Sequence, residues 1–235
     1  MQRKMQREAD EEEQERDASI LHHVGEGCGS LLKTNAPDAL NALLDGAWAQ
    51  RLIHMAQPQC LEEDRRFAVY VVCNALEFGP GACPAAQQRA APLVSVLLES
   101  CAPETPCPRR QAACYGLGMA AAALQTHFGP YRDATVQVLI QQMAGRPDRA
   151  TTSPCLPLDD EDDSEFEDVS DDEATPLQEA LVADNAASAL GRVLDGSADA
   201  GAWALWVQYL PLLADCAEAD AALTRLCAGI GGGSL

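Results

Sequence analysis

Two adjacent histidines, His22 and His23, with Cys28 beyond them, are the first side chains along the chain whose chemistry could hold a metal ion. Imidazole and thiolate are zinc ligands, but a closed structural site takes four of them in a tetrahedron. Neighbouring residues on a helix point to different sides, and no fourth ligand stands at a suitable spacing. Surface or packing roles are therefore expected for these residues, with no metal. Gly116-x-Gly118 has part of the glycine spacing of a dinucleotide loop, yet it lies inside a helix-length apolar stretch with no strand before it. Small residues there would let neighbouring helices approach closely, and Gly191 recurs at the matching repeat position. No Ser/His/Asp, Cys/His or paired-carboxylate arrangement stands out among the four scattered histidines. The expectation is a protein without catalytic residues or cofactor, and not an enzyme.

Binding chemistry is better represented. Residues 159–173 hold 11 carboxylates and no base. As a bland feature this is a solvated, self-repelling loop. As a functional one it is bait for basic segments, with Asp159, Asp160, Glu161, Asp162, Asp163, Glu165, Glu167 and Asp168 as the candidate partner-binding residues. Physiological salt screens such attraction within about 8 Å. Ser164 and Ser170 each have an acid three residues on, the pattern preferred by acid-directed kinases, and phosphate there would deepen the negative field. Trp203 and Trp206 stand three residues apart on one short helix. Such a pair belongs most often to a core, and a face turned to a partner is the alternative, because buried tryptophans are frequent hot spots.

Charge narrows the partners. The formal net charge is −20, of which −11 sits in 159–173 and −3 in 1–17, leaving −6 for everything else. Such a surface repels phosphate backbones and anionic lipid heads, so basic proteins are expected rather than nucleic acid or membrane. The first residues, Met1-Gln2-Arg3-Lys4-Met5, carry no apolar run like that of a secretory signal. The ten cysteines then read as reduced thiols, most of them inside apolar helical runs and none in a C-x-x-C pair.

The elements that must position these residues repeat. Arg65-Arg66-Phe67-Ala68-Val69-Tyr70 recurs in outline 44 residues later as Arg109-Arg110-Gln111-Ala112-Ala113-Cys114, each opening a helix-length apolar stretch that stops at Gly79 or Gly129. A second helix comes after each, with Pro92 or Pro130 near its start, where a missing N–H costs little. A third copy begins at an offset of 73, the extra length being the acidic insert. Thr175-Pro176-Leu177-Gln178 reads as its capping box, its partner helix runs from about 202 to 213, and another helix starts near Glu218. Residues 18–57 form a weaker hairpin broken by Pro37. Phe67–Cys73 alone would pass for a strand, but the matching segment is rich in Ala, so helix is favoured. Two helices per unit of about 40–47 residues is the HEAT or armadillo signature. The expected fold is all-α: an α-solenoid of such hairpins with a disordered acidic insert. Its divisions are a charged segment 1–17, hairpins over 18–145, the acidic loop 146–174, hairpins over 175–230 and a frayed tail 231–235.

Three motifs carry a family resemblance. Arg110-Gln111-Ala112-Ala113-Cys114-Tyr115-Gly116-Leu117-Gly118 resembles the R-Q-A-A-x-Y-G-L-G helix of importin-β family nuclear transport receptors, in particular their importin beta-3 (Ran-binding) branch. Asp184-Asn185-Ala186-Ala187-Ser188-Ala189-Leu190-Gly191-Arg192 resembles the branch's N-x-x-S-A-x-G-[KR] helix. Trp206-Val207-Gln208-Tyr209-Leu210-Pro211-Leu212 resembles its W-L-x-W-L-P-L element, with Tyr209 standing where the family has Trp. Asp215 and Glu218-Ala219 match the positions just beyond that element, and Glu11-Glu12-Glu13-Gln14-Glu15 resembles an acidic stretch ahead of this region. The resemblance spans about residues 8–229 and corresponds to only the last several repeats of the longer family chain. It implies a curved receptor segment that binds basic nuclear-localisation cargo and works between cytoplasm and nucleus. Ran GTPase and nucleoporins would be partners through a longer parent chain, since the N-terminal arch that makes the principal Ran-GTP contacts is not matched. The other expectation is a HEAT scaffold or adaptor subunit without Ran dependence.

Overall fold

A computed structural model of the chain describes residues 2–35, 38–39, 42–43, 47–78, 84–146, 175–197 and 199–231. The acidic residues 159–173 with Ser164 and Ser170, the glycine stop at Gly79, Pro37 and the tail 232–235 lie outside the described residues. All regular structure among the described residues is helical. The chain divides into two compact units, Met1–Val96 and Leu97–Leu235. That division falls within the helix Pro84–Ser100.

The first unit holds α1 (Gln2–Thr34), α2 (Ala47–Met55), α3 (Glu62–Phe78) and the start of α4 (Pro84–Ser100). Helix α1 begins within the charged residues 1–17 and continues to Thr34. Glu62, Glu63 and Asp64 fill the first turn of α3, where carboxylates meet the positive end of the helix dipole. Val69, Val71 and Val72 are all buried on that helix. Their stiff β-branched side chains lower helix propensity slightly, and the apolar area they bury against α1 and α2 outweighs it. A Cβ placed on Gly25 of α1 would stand 3.2 Å from the Tyr70 ring, and one on Gly29 would stand 3.1 Å from the Asn74 side chain. Leu52, Ala68 and Val71 centre the core, with Cys28, Met55, Ala56 and Phe67 packed around them. Pro92, expected near a helix start, lies well inside α4, which begins at another proline, Pro84.

The second unit takes up the end of α4, then α5 (Cys107–Leu124), a 3-10 turn (Gln125–Phe128), α6 (Gly129–Ala144), α7 (Pro176–Leu194), α8 (Ala200–Tyr209) and α9 (Cys216–Gly231). Helix α7 packs against α5, α6, α8 and α9. Residues 182–191 of α7 are consequently buried on every side of the helix, which its Ala-rich composition permits. Its start is the expected capping box: Gln178 N–H donates to Thr175 Oγ1 at 3.2 Å, and Thr175 N–H donates to Gln178 Oε1 at 2.9 Å. Helix α8 stops at Tyr209, short of the expected 213. Pro211 forces the residue before it into extended backbone, and Leu210 sits at φ −71°, ψ 154°.

Candidate functional site

The residues singled out for metal chemistry lie along α1. The His22 and His23 rings are exposed on α1, with centroids 5.6 Å apart and planes tilted by 51°. Cys28 packs toward the core of the first unit, and burial pushes its thiol above its ordinary pKa. Among the described residues, no group of three His, Cys, Asp or Glu side chains is placed to hold a metal ion. Gly118 serves helix contact: its missing Cβ would stand 2.8 Å from the Cα of Ala189, so α5 and α7 touch backbone to backbone.

The tryptophan pair offers no surface to a partner. Trp203 is 7% exposed and Trp206 is fully buried, their rings meeting edge to face at 5.3 Å. Trp206 Nε1 donates to the Ala187 carbonyl at 2.8 Å, and Trp203 Nε1 donates to the Ser197 carbonyl at 3.3 Å. Trp206 ties α8 to α7 and Trp203 ties it to the loop before it, so both indoles lie in the core and not on a face turned to a partner. Indole demands a partner for its N–H when buried, and both find one on a main-chain carbonyl.

Polar chemistry concentrates in three clusters in the second unit. The first centres on Asp184, a fully buried residue of α7. Its Oδ2 accepts from the backbone N–H groups of Leu213, Ala214 and Asp215 at 2.7, 2.6 and 3.3 Å. Its Oδ1 stands 3.5 Å from Arg146 Nη2. Arg146 also donates through Nη1 to the Tyr209 carbonyl at 3.2 Å and lies 4.6 Å above the centre of the Tyr209 ring. Asp184 thereby receives the chain as it leaves α8 and turns into α9.

The second cluster caps α9. Asp215 Oδ1 accepts from Glu218 N–H at 3.1 Å, and Asp215 Oδ2 accepts from Asn185 Nδ2 at 2.9 Å. Glu218 pairs with Arg192 of α7 at 3.0 Å, both side chains being about nine-tenths buried, and Arg192 lies 5.7 Å from the Tyr115 ring centre on α5. Every residue in these two clusters except Arg146 and Tyr115 belongs to, or directly succeeds, the second and third motifs of the family resemblance.

The third cluster joins the two sides of the acidic insert. Arg110 of α5 pairs with Glu179 of α7 at 2.5 Å, donates to Gln142 Oε1 on α6 at 3.1 Å and donates to the Thr105 carbonyl at 2.9 Å. Gln142 in turn donates to the Cys101 carbonyl at 2.8 Å. Burial works against the Arg110 charge, but the hydrogen bond and charge of Glu179 outweigh it and hold the guanidinium above its ordinary pKa. Cys107 donates to Glu179 at 3.4 Å, and its thiol is pushed up, chiefly by burial and against the lowering pull of Arg110. A raised thiol pKa keeps the proton on sulfur, the reverse of what a nucleophilic cysteine requires.

These clusters act as stitching between helices, although Arg146 Nε and Arg192 Nη1 are buried without a hydrogen-bond partner. Sequence reasoning did not assign Arg146, Gln142 or Glu179 any role. Their partners lie 32 to 72 residues away in the chain, and no local periodicity marks them. The residues proposed as bait for basic partners, 159–168, lie outside the described residues, although Arg146 and Thr175 on either flank are both fixed by hydrogen bonds. Compared with known proteins, the sequence matches no family model and no curated relative.

Proposed function

We propose that the chain is a protein-binding segment of an importin-β-type nuclear import receptor, built as a solenoid of HEAT-type hairpins. In this reading it takes basic nuclear-localisation cargo in the cytoplasm, and the acidic residues 159–168 draw that cargo in. Ran GTPase and nucleoporins engage it through a longer parent chain. The observation that carries the reading is the enclosure of α7 by both helices of the hairpin before it, α5 and α6, by its own partner α8, and by the next helix, α9. A helix covered by its sequence neighbours on each side is what stacked hairpins produce, each burying its apolar face only against the adjoining repeats. The excess of acid supports basic cargo, and the three ordered motifs support the family reading.

A second reading, a HEAT scaffold without Ran dependence, is favoured by one observation. The motif residues Asp184, Asn185, Gly191, Trp206 and Asp215 all serve packing or capping, which any stacked array of this kind would require. The two readings separate in a binding titration with a fluorescent lysine-rich peptide of nuclear-localisation type. A receptor segment binds it, loses affinity steeply between about 50 and 200 mM salt, and is weakened by neutralising Asp159–Asp163 to asparagine and glutamine. A peptide that fails to bind at low salt, or binds with no salt dependence, overturns the receptor reading in favour of the scaffold.

A further inference from the structure

We infer that Cys101 and Cys114 form a redox-responsive dithiol, oxidised to an intramolecular disulfide by a hydroperoxide. The two sulfurs stand 3.9 Å apart, and both residues belong to the second unit. Cys101 is the first residue beyond α4, in the turn that leads to α5, and Cys114 lies in the middle of α5. Both are buried, at 3% and 0% exposed.

Their backbones are held from opposite sides. The Cys101 carbonyl accepts from Gln142 Nε2, which is itself bound to Arg110. Cys114 is enclosed within α5 between the buried residues Ala113 and Leu117. This anchoring keeps the thiols at a high effective concentration toward each other and hinders either from reaching a different cysteine. A disulfide needs the sulfurs to close from 3.9 Å to about 2.0 Å, a shift of about 1.9 Å. The turn is the side that can supply it. Its first hydrogen bonds, Cys101 to Leu98 and Ala102 to Glu99, are long at 3.2 and 3.3 Å, and Pro103 and Glu104 lie exposed at its tip.

The chemistry balances in two steps. When the turn opens, the Cys101 sulfur attacks a hydroperoxide oxygen; the O–O bond breaks and the thiol proton passes to the departing oxygen, giving a sulfenic acid and one molecule of water or alcohol. The Cys114 sulfur then attacks the sulfenic sulfur, the S–S bond forms, and the hydroxyl leaves with the thiol proton as water. Two thiols are oxidised by two electrons in all, and the peroxide is reduced. Because a sulfenic acid at Cys101 forms beside its resolving thiol, the pair stops at the disulfide and escapes further oxidation.

The test uses the full chain with its surface thiols first blocked by N-ethylmaleimide in the native state. Hydrogen peroxide in small molar excess is then added, remaining thiols are alkylated in denaturant with a mass-distinguishable maleimide, and the protein is cleaved with trypsin and after glutamate. Cleavage after Glu104 separates Cys101 from Cys107, so the linked pair is identified by mass. The expected result is a Cys101–Cys114 peptide in most molecules, abolished by dithiothreitol and absent from Cys114→Ala. Recovery of both cysteines as alkylated thiols overturns the inference, and so does a Cys107–Cys114 linkage in their place. A shift in the thermal midpoint that reverses on reduction in wild type, and does not occur in Cys101→Ala, is the second expected readout.

Discussion

A Cβ built on Gly191 would lie 2.8 Å from Cζ2 of Trp206, closer than side-chain carbons approach in folded proteins. The indole cannot retreat, because it is fully buried and its N–H is tied to the Ala187 carbonyl at 2.8 Å. Gly191→Ala should therefore destabilise the second unit. Overpacking costs roughly 1–3 kcal/mol, against about 1 kcal/mol regained from helix propensity. The control is Gly27 on α1, where an added Cβ meets nothing within 4 Å. Gly27→Ala should be neutral or stabilising by up to about 1 kcal/mol. Denaturant midpoints followed by circular dichroism decide both, and equal effects at the two sites would refute the close approach.

Removing the Asp184 carboxylate should be among the most damaging single changes. It leaves three backbone N–H groups short of an acceptor and Arg146 without its carboxylate. Breaking one side of a buried charge pair costs about 3–5 kcal/mol. Asp184→Ala should lower the unfolding midpoint accordingly. Asp184→Asn, which keeps one acceptor oxygen, should recover part of the loss. Full stability in both variants would show that the amides find other acceptors.

The raised thiol of Cys107 makes an alkaline limit on stability. Folding disfavours its thiolate, so its contribution is fully present below the unfolded value near 9.0 and is lost as the pH rises through the higher folded value. Cys28 adds a change of the same sign in the first unit. Unfolding free energy should fall from about pH 9 upward, and Cys107→Ala should fall less steeply across that range. Parallel curves for wild type and variant would exclude Cys107 as a source.

Replacing residues 150–174 by a short glycine-serine linker should leave helicity and melting almost unchanged, because α5, α6 and α7 keep every contact described between them. Deleting 176–213 removes the helix on which α5, α6 and α9 all pack, and should cause aggregation. Light scattering with far-ultraviolet circular dichroism measures both. Equal damage would mean that the insert contributes to the core.

Much of the architecture was legible in the letters because it rests on local rules. Helix over 62–78 could be inferred from comparison with its repeat, even though Phe67–Cys73 alone resembles a strand. The capping box at Thr175 could be inferred from a four-residue pattern whose two hydrogen bonds lie within one turn. Gly118 and Gly191 could be read as packing glycines because both fall on apolar helix faces at matching repeat positions. The boundaries were less legible. Pro92 suggested a helix start that lies at Pro84, since an in-helix proline and a first-turn proline differ only in context.

The sequence by itself determined that the chain is helical and where most helices begin, because periodicity, caps and prolines act within a few residues. It also determined the acidity of 159–173 and the small residues through which helices touch. Only the tertiary structure decided that Trp203 and Trp206 face inward, since an i, i+3 spacing places them on one side of α8 without saying which side is covered. Only the tertiary structure joined Arg110 to Glu179, Asp184 to the turn before α9, and Cys101 to Cys114. The first two of these meetings arise because α7 lies among four helices, and the free energy that sets this arrangement is the burial of area shared by all of them at once.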